Sequence, residues 1–231
     1  MSREEPVSIW RELFRSGPSG MEQIREQLLS MLDIDRRTFD TACSALLEGA
    51  DVDTVRSQVS DSDHRVNVLV QQVRRELVVH ASTHGSLVEI SPLLLYMSIV
   101  KDIERIGDYA KNILDIARAG GDLSVPADDR DALRTYRDRV SALISEVRET
   151  FAEQDADRAT SLLETWQEVG HEFDHHVAAL ISSDAPSRHA VPRALYYRYL
   201  KRIASHLDNI LTALVMPLDK VDFYWPDESE H

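Results

Sequence analysis

Two segments of the chain, KDIERIGDYAKNIL at 101–114 and RYLKRIASHLDNIL at 198–211, align at a constant offset of 97 residues. In the first, Ile99, Ile103, Ile106, Ala110, Ile113 and Ala117 recur at steps of four and three. In the second, Tyr196, Leu200, Ile203, Leu207, Ile210 and Leu214 do the same. A stripe of this period is the seam of one helix in an antiparallel bundle or coiled coil. A strand repeats every two residues and cannot keep these side chains on one face. A seam that returns at a fixed offset is an internal duplication. The chain is therefore predicted to be all-α: two tandem three-helix-bundle repeats, six long helices in total.

The remaining helices follow from spacing and breakers. A short helix with Ile9, Trp10, Leu13 and Phe14 is expected within an N-terminal segment, 1–18, and GPSG at 17–20 ends it. The first repeat, 19–120, would hold a helix from about Ser19 to Glu48, with Ile24, Leu28, Met31 and Leu32 inward. A second helix, capped by Asp51, would run to about Ser82 with Val66, Leu69, Val73 and Leu77 inward. The third is expected to start at Ser91-Pro92, a cap followed by proline at the first helical position. A loop over about 119–129 leads to the second repeat, 127–218. Its helices are expected from about Ala127 to Glu153, from Asp155 to Ser182, and from a start between Ser187 and Arg193. Leu162, Trp166, Val169, Phe173, Val177 and Leu180 face inward on the second of these. A C-terminal tail, 219–231, closes the chain.

Composition narrows the function classes. The 26 Lys and Arg against 40 Asp and Glu leave a net charge of −14. A nucleic-acid grip needs a basic face, so no nucleic-acid partner is expected. The charge suits cations or partners presenting basic patches. One cysteine, Cys43, excludes an intrachain disulfide and a cysteine-built zinc site; it reads as a small core residue. The N-terminus lacks the apolar core of a secretory signal. No apolar run is long enough to span a membrane. These features predict a cytoplasmic protein that is not membrane-spanning.

The stretch IERIGDYAKNI resembles a motif of the PhoU family of phosphate-uptake regulators. Glu104, Arg105, Ile106, Gly107, Asp108, Ala110, Asn112 and Ile113 stand as that family has them. DHRVN at 63–67 resembles the family's D-x-x-I-N pattern, and the likeness extends over about 20–218. The resemblance implies a homodimer that restrains phosphate import and phosphate-starvation signalling. It would do so by contact with a membrane phosphate transporter or its sensor histidine kinase. It implies no enzymatic activity. Some members carry iron or another metal on clustered carboxylates, one cluster per repeat. That implies a divalent or ferric ion, iron or zinc, in the first repeat, near Glu104, Asp108, Asp63 and Asn67. The second repeat departs from the pattern: Glu104 becomes Lys201, Gly107 becomes Ala204 and Asp108 becomes Ser205. An ammonium in place of a carboxylate repels a cation, so at most one such site is expected. A metal-sequestering helical protein, or a regulator of another ion transporter, is the alternative.

The residues themselves leave two readings open. Glu104 and Asp108, one turn apart, share a face that points outward from the seam. Oxygen donors so placed suit a hard cation, with Asp63 and Asn67 on the neighbouring helix adding others. The same carboxylates could instead form a solvated face laced by Lys101–Glu104 and Lys111–Asp115 pairs. Gly107, costly inside a helix, signals close approach of another group or tight helix packing. GHEFDHH at 170–176 contains H-E-x-x-H, the helical zinc pattern of metalloproteases, in His171, Glu172 and His175. No third ligand follows at a suitable offset and no strand is expected beside it. A polar outer face is the better reading. His206, with Asp208 and Asn209, reads as another polar outer surface. DFYWPDE at 222–228, with the adjacent aromatics Phe223, Tyr224 and Trp225, is expected to pack on the bundle or a partner, and the acidic PDESEH closes the chain.

Overall fold

The computed structural model describes residues 19–84, 87–123 and 130–222. The expected N-terminal helix, the start of the fourth helix before Arg130 and the aromatic tail lie outside the described residues. Among those described are six α-helices and no strand: α1 (Ser19–Leu47), α2 (Val52–His84), α3 (Leu87–Arg118), α4 (Arg130–Glu153), α5 (Ala156–Ile181) and α6 (Ser187–Val215). A 3-10 turn, Leu218–Lys220, follows.

The seams are buried as their period requires. Ile99, Ile103, Ile106, Ala110, Ile113 and Ala117 on α3, and Tyr196, Leu200, Ile203, Leu207, Ile210 and Leu214 on α6, all lie in the core. Cys43 is buried as well, and its thiol pKa is raised by that burial. α1, α3, α4 and α6 form a central bundle, in which α3 packs on α1 and α6, and α4 on α1 and α6. α2 covers the outside of α1 and α3. α5 lies along α6 and touches α4 little. Leu162, Val177 and Leu180 on α5 are consequently half-buried rather than enclosed.

Local signals explain most helix ends. Gly49 takes a left-handed conformation, φ 73°, just past α1, where a Cβ would be strained. Asp51 caps α2 by accepting from the Thr54 amide at 2.9 Å and the Thr54 hydroxyl at 2.6 Å. Asp155 caps α5 through the Arg158 amide. One expected boundary is corrected. α3 begins at Leu87, so Pro92 lies inside it. A proline this near the start forgoes one backbone hydrogen bond; burial of Leu93, Leu95 and Tyr96 just beyond it outweighs that loss. Pro192 lies within α6 in the same way.

The duplication is visible where α3 and α6 cross antiparallel. Tyr109 and His206, equivalent under the 97-residue offset, stack on each other at 5.7 Å. Asp102 binds His206 at 2.8 Å. The equivalent pair, Tyr199 and Tyr109, lies at 6.0 Å. A pseudo-two-fold axis thus passes between Tyr109 and His206.

Candidate functional site

The four carboxylate and amide residues singled out in the sequence meet between α2 and α3. They are not an open outward face. The Glu104 and Asp108 side chains are only 23% and 31% exposed, because α2 lies against them. Both are paired. Arg74 and Lys101 reach Glu104 at 3.2 and 3.1 Å. Arg105 reaches Asp108 at 3.1 Å. Lys111 does not pair with Asp115, which binds Arg118 instead. Its ammonium bridges Asp108 at 2.9 Å and Asp63 at 2.5 Å. Asn67 donates to Asp63 at 3.1 Å. Burial works to lower the Lys111 pKa, but the bonds to Asp63 and Asp108 outweigh it and hold it above the ordinary lysine value.

Beneath this ion-pair layer sits a residue that the sequence reading missed. Asp35, on α1, is 1% exposed, and neither carboxylate oxygen has a hydrogen-bond partner. It borders a cavity of about 10 Å³, shared with Asp63, Asn67, Glu104, Gly107 and Lys111. Burial pushes its pKa well above the usual aspartate range; Asp108 and Asp63 push the same way and Lys111 opposes. The neutral acid is favoured. The signal was present: Leu28, Leu32, Asp35 and Phe39 follow steps of four, three and four, so an acid stands at an inward position.

Asp35 also accounts for Gly107. A Cβ built there would lie 2.8 Å from Asp35 Oδ1, so a buried carboxyl occupies the space. Gly107→Ala gains about 1 kcal/mol of helix propensity but must displace that oxygen. We expect the single variant to melt lower than the wild type. In the Asp35→Ala background the same change should raise the melting temperature. Calorimetry on the four proteins of this cycle checks it; additivity would mean that the carboxyl is not the obstacle.

Among the described residues, no three His, Cys, Asp or Glu side chains lie close enough to hold one metal ion. Glu172 of the H-E-x-x-H stretch accepts from Tyr136 and Arg139, both at 3.1 Å, which ties α5 to α4. His171 and His175 are exposed. His176, unremarked in the sequence, stacks on Tyr197 at 4.5 Å and lies 3.0 Å from the Tyr136 hydroxyl.

In the second half, Lys201 binds Asp174 of α5. The expected outer surface of His206, Asp208 and Asn209 is corrected. His206 and Asn209 both bind Asp102 of α3, the latter at 2.9 Å. Asp208 turns to a separate cleft, where burial pushes its pKa up to about 7 and Oδ1 is without a partner.

Comparison with known proteins bears on this arrangement. Residues 28–117 match the model of the PhoU domain. A protein of Pseudomonas aeruginosa, a phosphate-specific transport system accessory protein PhoU homolog, is 25% identical over 204 residues, 84% of this chain and 82% of that protein. A Pseudomonas putida protein of the same description is 26% identical over 198 residues, 82% of this chain and 75% of that protein. The crystal structure of PhoU from Pseudomonas aeruginosa superposes with a TM-score of 0.74 at 22% identity. It covers 85% of this chain and 95% of the other, and shows the shared fold.

Proposed function

We propose that this chain, whose residues 28–117 match the PhoU domain model, restrains phosphate uptake and phosphate-starvation signalling. It would act on the cytoplasmic side of the membrane, by contact with a membrane phosphate transporter or its sensor histidine kinase, as a homodimer and not as an enzyme. The observation that carries this reading is the alignment over more than four-fifths of the chain with two accessory proteins of phosphate-specific transport. Two features support it. Among the described residues no helix is long and apolar enough to cross a membrane, which suits a partner that docks from outside the bilayer. Val78 and Val79 near the end of α2, and Ile90 and Leu94 near the start of α3, are exposed apolar side chains that a partner could cover. Uptake of labelled phosphate tests it. Cells lacking the chain should import more phosphate in phosphate-rich medium than cells carrying it, and equal uptake would overturn the reading.

Asp35 favours a metal-dependent form of the same role. A buried carboxyl with two unpartnered oxygens, beside Asp63 and Asp108, fits a hard cation such as ferric iron or a divalent ion. As the helices sit, no three of these carboxylates stand close enough to share one ion; Asp63 and Asp108 would have to draw in on Asp35 to hold it, bordered by Glu104 and Asn67, with Lys111 displaced from between them. The ion would supply charge that orders α1, α2 and α3. Binding should weaken as pH falls, because the carboxylates must lose their protons to bind, and Asp35, whose pKa burial raises, starts that weakening above the usual aspartate range. Titration calorimetry with iron or zinc should show binding lost in Asp108→Asn. Equal binding by both proteins, or none by either, removes metal from the regulatory role.

A further inference from the structure

We propose that the outer groove between the last turns of α2 and the first turns of α3 is the docking site of the chain's own N-terminal segment, with Ile9, Trp10, Leu13 and Phe14 seated on Val78, Ile90 and Leu94. The segment lies outside the described residues; the three groove side chains lie within them.

Ion pairs locate the groove. Arg74 of α2 reaches Glu104 of α3 at 3.2 Å, and Lys101 reaches the same carboxylate at 3.1 Å. These side chains mark the line along which the two helices meet on the outer surface. Val78 stands one turn beyond Arg74, and Leu94 and Ile90 stand two and three turns before Lys101, so all three continue that line. Beyond the charges the line turns apolar: Val78, Leu94 and Ile90 are 60%, 57% and 43% exposed. Met97, between Leu94 and Lys101, is partly buried against the core and forms the floor. Apolar side chains of this size in one stripe mark a surface that another apolar face covers.

Helix register brings the start of α1 to the same end. Arg74 binds Glu104 and Asp63 binds Lys111, so α2 and α3 run antiparallel. Gln27 of α1 donates to Glu76 of α2 at 3.0 Å, and Asp35 borders the same cavity as Asp63. α1 is therefore antiparallel to α2 and parallel to α3. A Cβ on Gly107 would meet Asp35, so these two residues are level, and an equal count back along both helices sets Ser19 level with Ser91, between Ile90 and Leu94. The stretch from Phe14 to Ser19 spans about 17 Å when extended, and a helix is about 10 Å across, so the segment reaches the groove from the start of α1. Ile9, Trp10, Leu13 and Phe14 fall at i, i+1, i+4 and i+5, one apolar face of a helix. Counted from the Arg74–Glu104 pair, Val78 is level with Val100. The apolar stretch back to Ile90 is then about 15 Å long, as is a helix over residues 6–15. The C-terminal aromatics leave from another side. The Asp222 amide donates to the Thr212 hydroxyl at 3.1 Å, and Asp222 borders a cleft with Leu163 and Gln167 of α5, whereas the groove runs beside α2.

A partner that takes Val78, Ile90 and Leu94 must displace this segment. The docking itself does not rest on the regulatory reading, and its test involves no phosphate.

Disulfide trapping in the full chain tests it. Leu13→Cys is paired with Leu94→Cys or with Val191→Cys. Val191 is the counterpart of Leu94 under the 97-residue offset, is 52% exposed and lies at the opposite end of the bundle. Cys43 is buried and does not compete. Circular dichroism confirms that each variant is folded. On mild oxidation, the pair with Leu94→Cys should close within one chain about tenfold or more faster than the pair with Val191→Cys. Adding Trp10→Ala and Phe14→Ala should slow that closure. The proposal is overturned if the two pairs close at equal rates, or if loss of the Trp10 and Phe14 rings leaves closure on Leu94→Cys unchanged. It is equally overturned if that disulfide forms only between chains, which makes a second copy the occupant. Faster trapping of Leu94→Cys by Trp225→Cys than by Leu13→Cys also overturns it, because the C-terminal tail is then the occupant.

Discussion

Ile106→Asp is expected to abolish cooperative folding. Ile106 sits in the middle of α3 with 0% of its surface exposed, and α3 packs on α1, α2 and α6. The change removes about 2–3 kcal/mol of apolar burial and puts in its place a carboxylate that costs several kcal/mol more to desolvate. Against a total stability of about 5–15 kcal/mol, the sum leaves little or nothing. Far-UV circular dichroism during heating should lose its sigmoidal transition. Ile106→Val, which removes one methylene, should cost only about 1 kcal/mol and keep the transition. A sharp melt for Ile106→Asp near the wild-type temperature would mean that α3 is not the centre of the core.

Asp208→Asn is expected to act in the opposite direction, and only above acid pH. The Asp208 carboxyl would ordinarily titrate near 3.8, and burial moves it to about 7 in the folded protein. A carboxyl whose pKa is raised by folding binds its proton more tightly in the native state. The native state is therefore unpenalised below about pH 4, loses stability as pH rises, and bears the full penalty above about pH 7. The gap corresponds to about 4 kcal/mol as an upper bound. Water in the cleft screens part of that, leaving about 2 kcal/mol. Asparagine keeps the shape without the charge. With a chelator present, the variant should melt several degrees above the wild type at pH 8 and together with it at pH 4. Asp222 lies across the cleft and the Asp102–His206 pair behind Asn209, so variant and wild type are compared at each pH. Equal melting temperatures at pH 8 would show that the Asp208 charge is solvated.

Both seams could be read from the chain because a heptad period survives any detail of packing. All twelve seam residues are buried. The breakers were nearly as informative: Gly49 and Asp51 end one helix and start the next as their chemistry dictates. Pro92 misled, since the start signal it forms with Ser91 is local, whereas the apolar residues that extend α3 past it are stabilised by distant partners. The candidate site was half legible. Glu104, Asp108, Asp63 and Asn67 were the right neighbourhood, but helix spacing alone could not show that α2 half-buries them or that Lys111 spans to Asp63, 48 residues away. His206 was misplaced for the same reason: its partner Asp102 is 104 residues distant. Gly107 announced that something comes close; that it is the Asp35 carboxyl required the fold.

The lopsided seating of α5 has a consequence for how the molecule breathes. A helix held mainly along one neighbour opens at a lower free energy than helices held on two or three sides. Gly170, midway along α5 with nothing within 4 Å of a Cβ built there, weakens it further. Amide hydrogens of α5 should therefore trade with deuterium ahead of those in α1, α3 and α6, as one cooperative block. That same block carries Leu163 and Gln167, one wall of the cleft around Asp208, so the helix that closes the cleft is also the first to come loose.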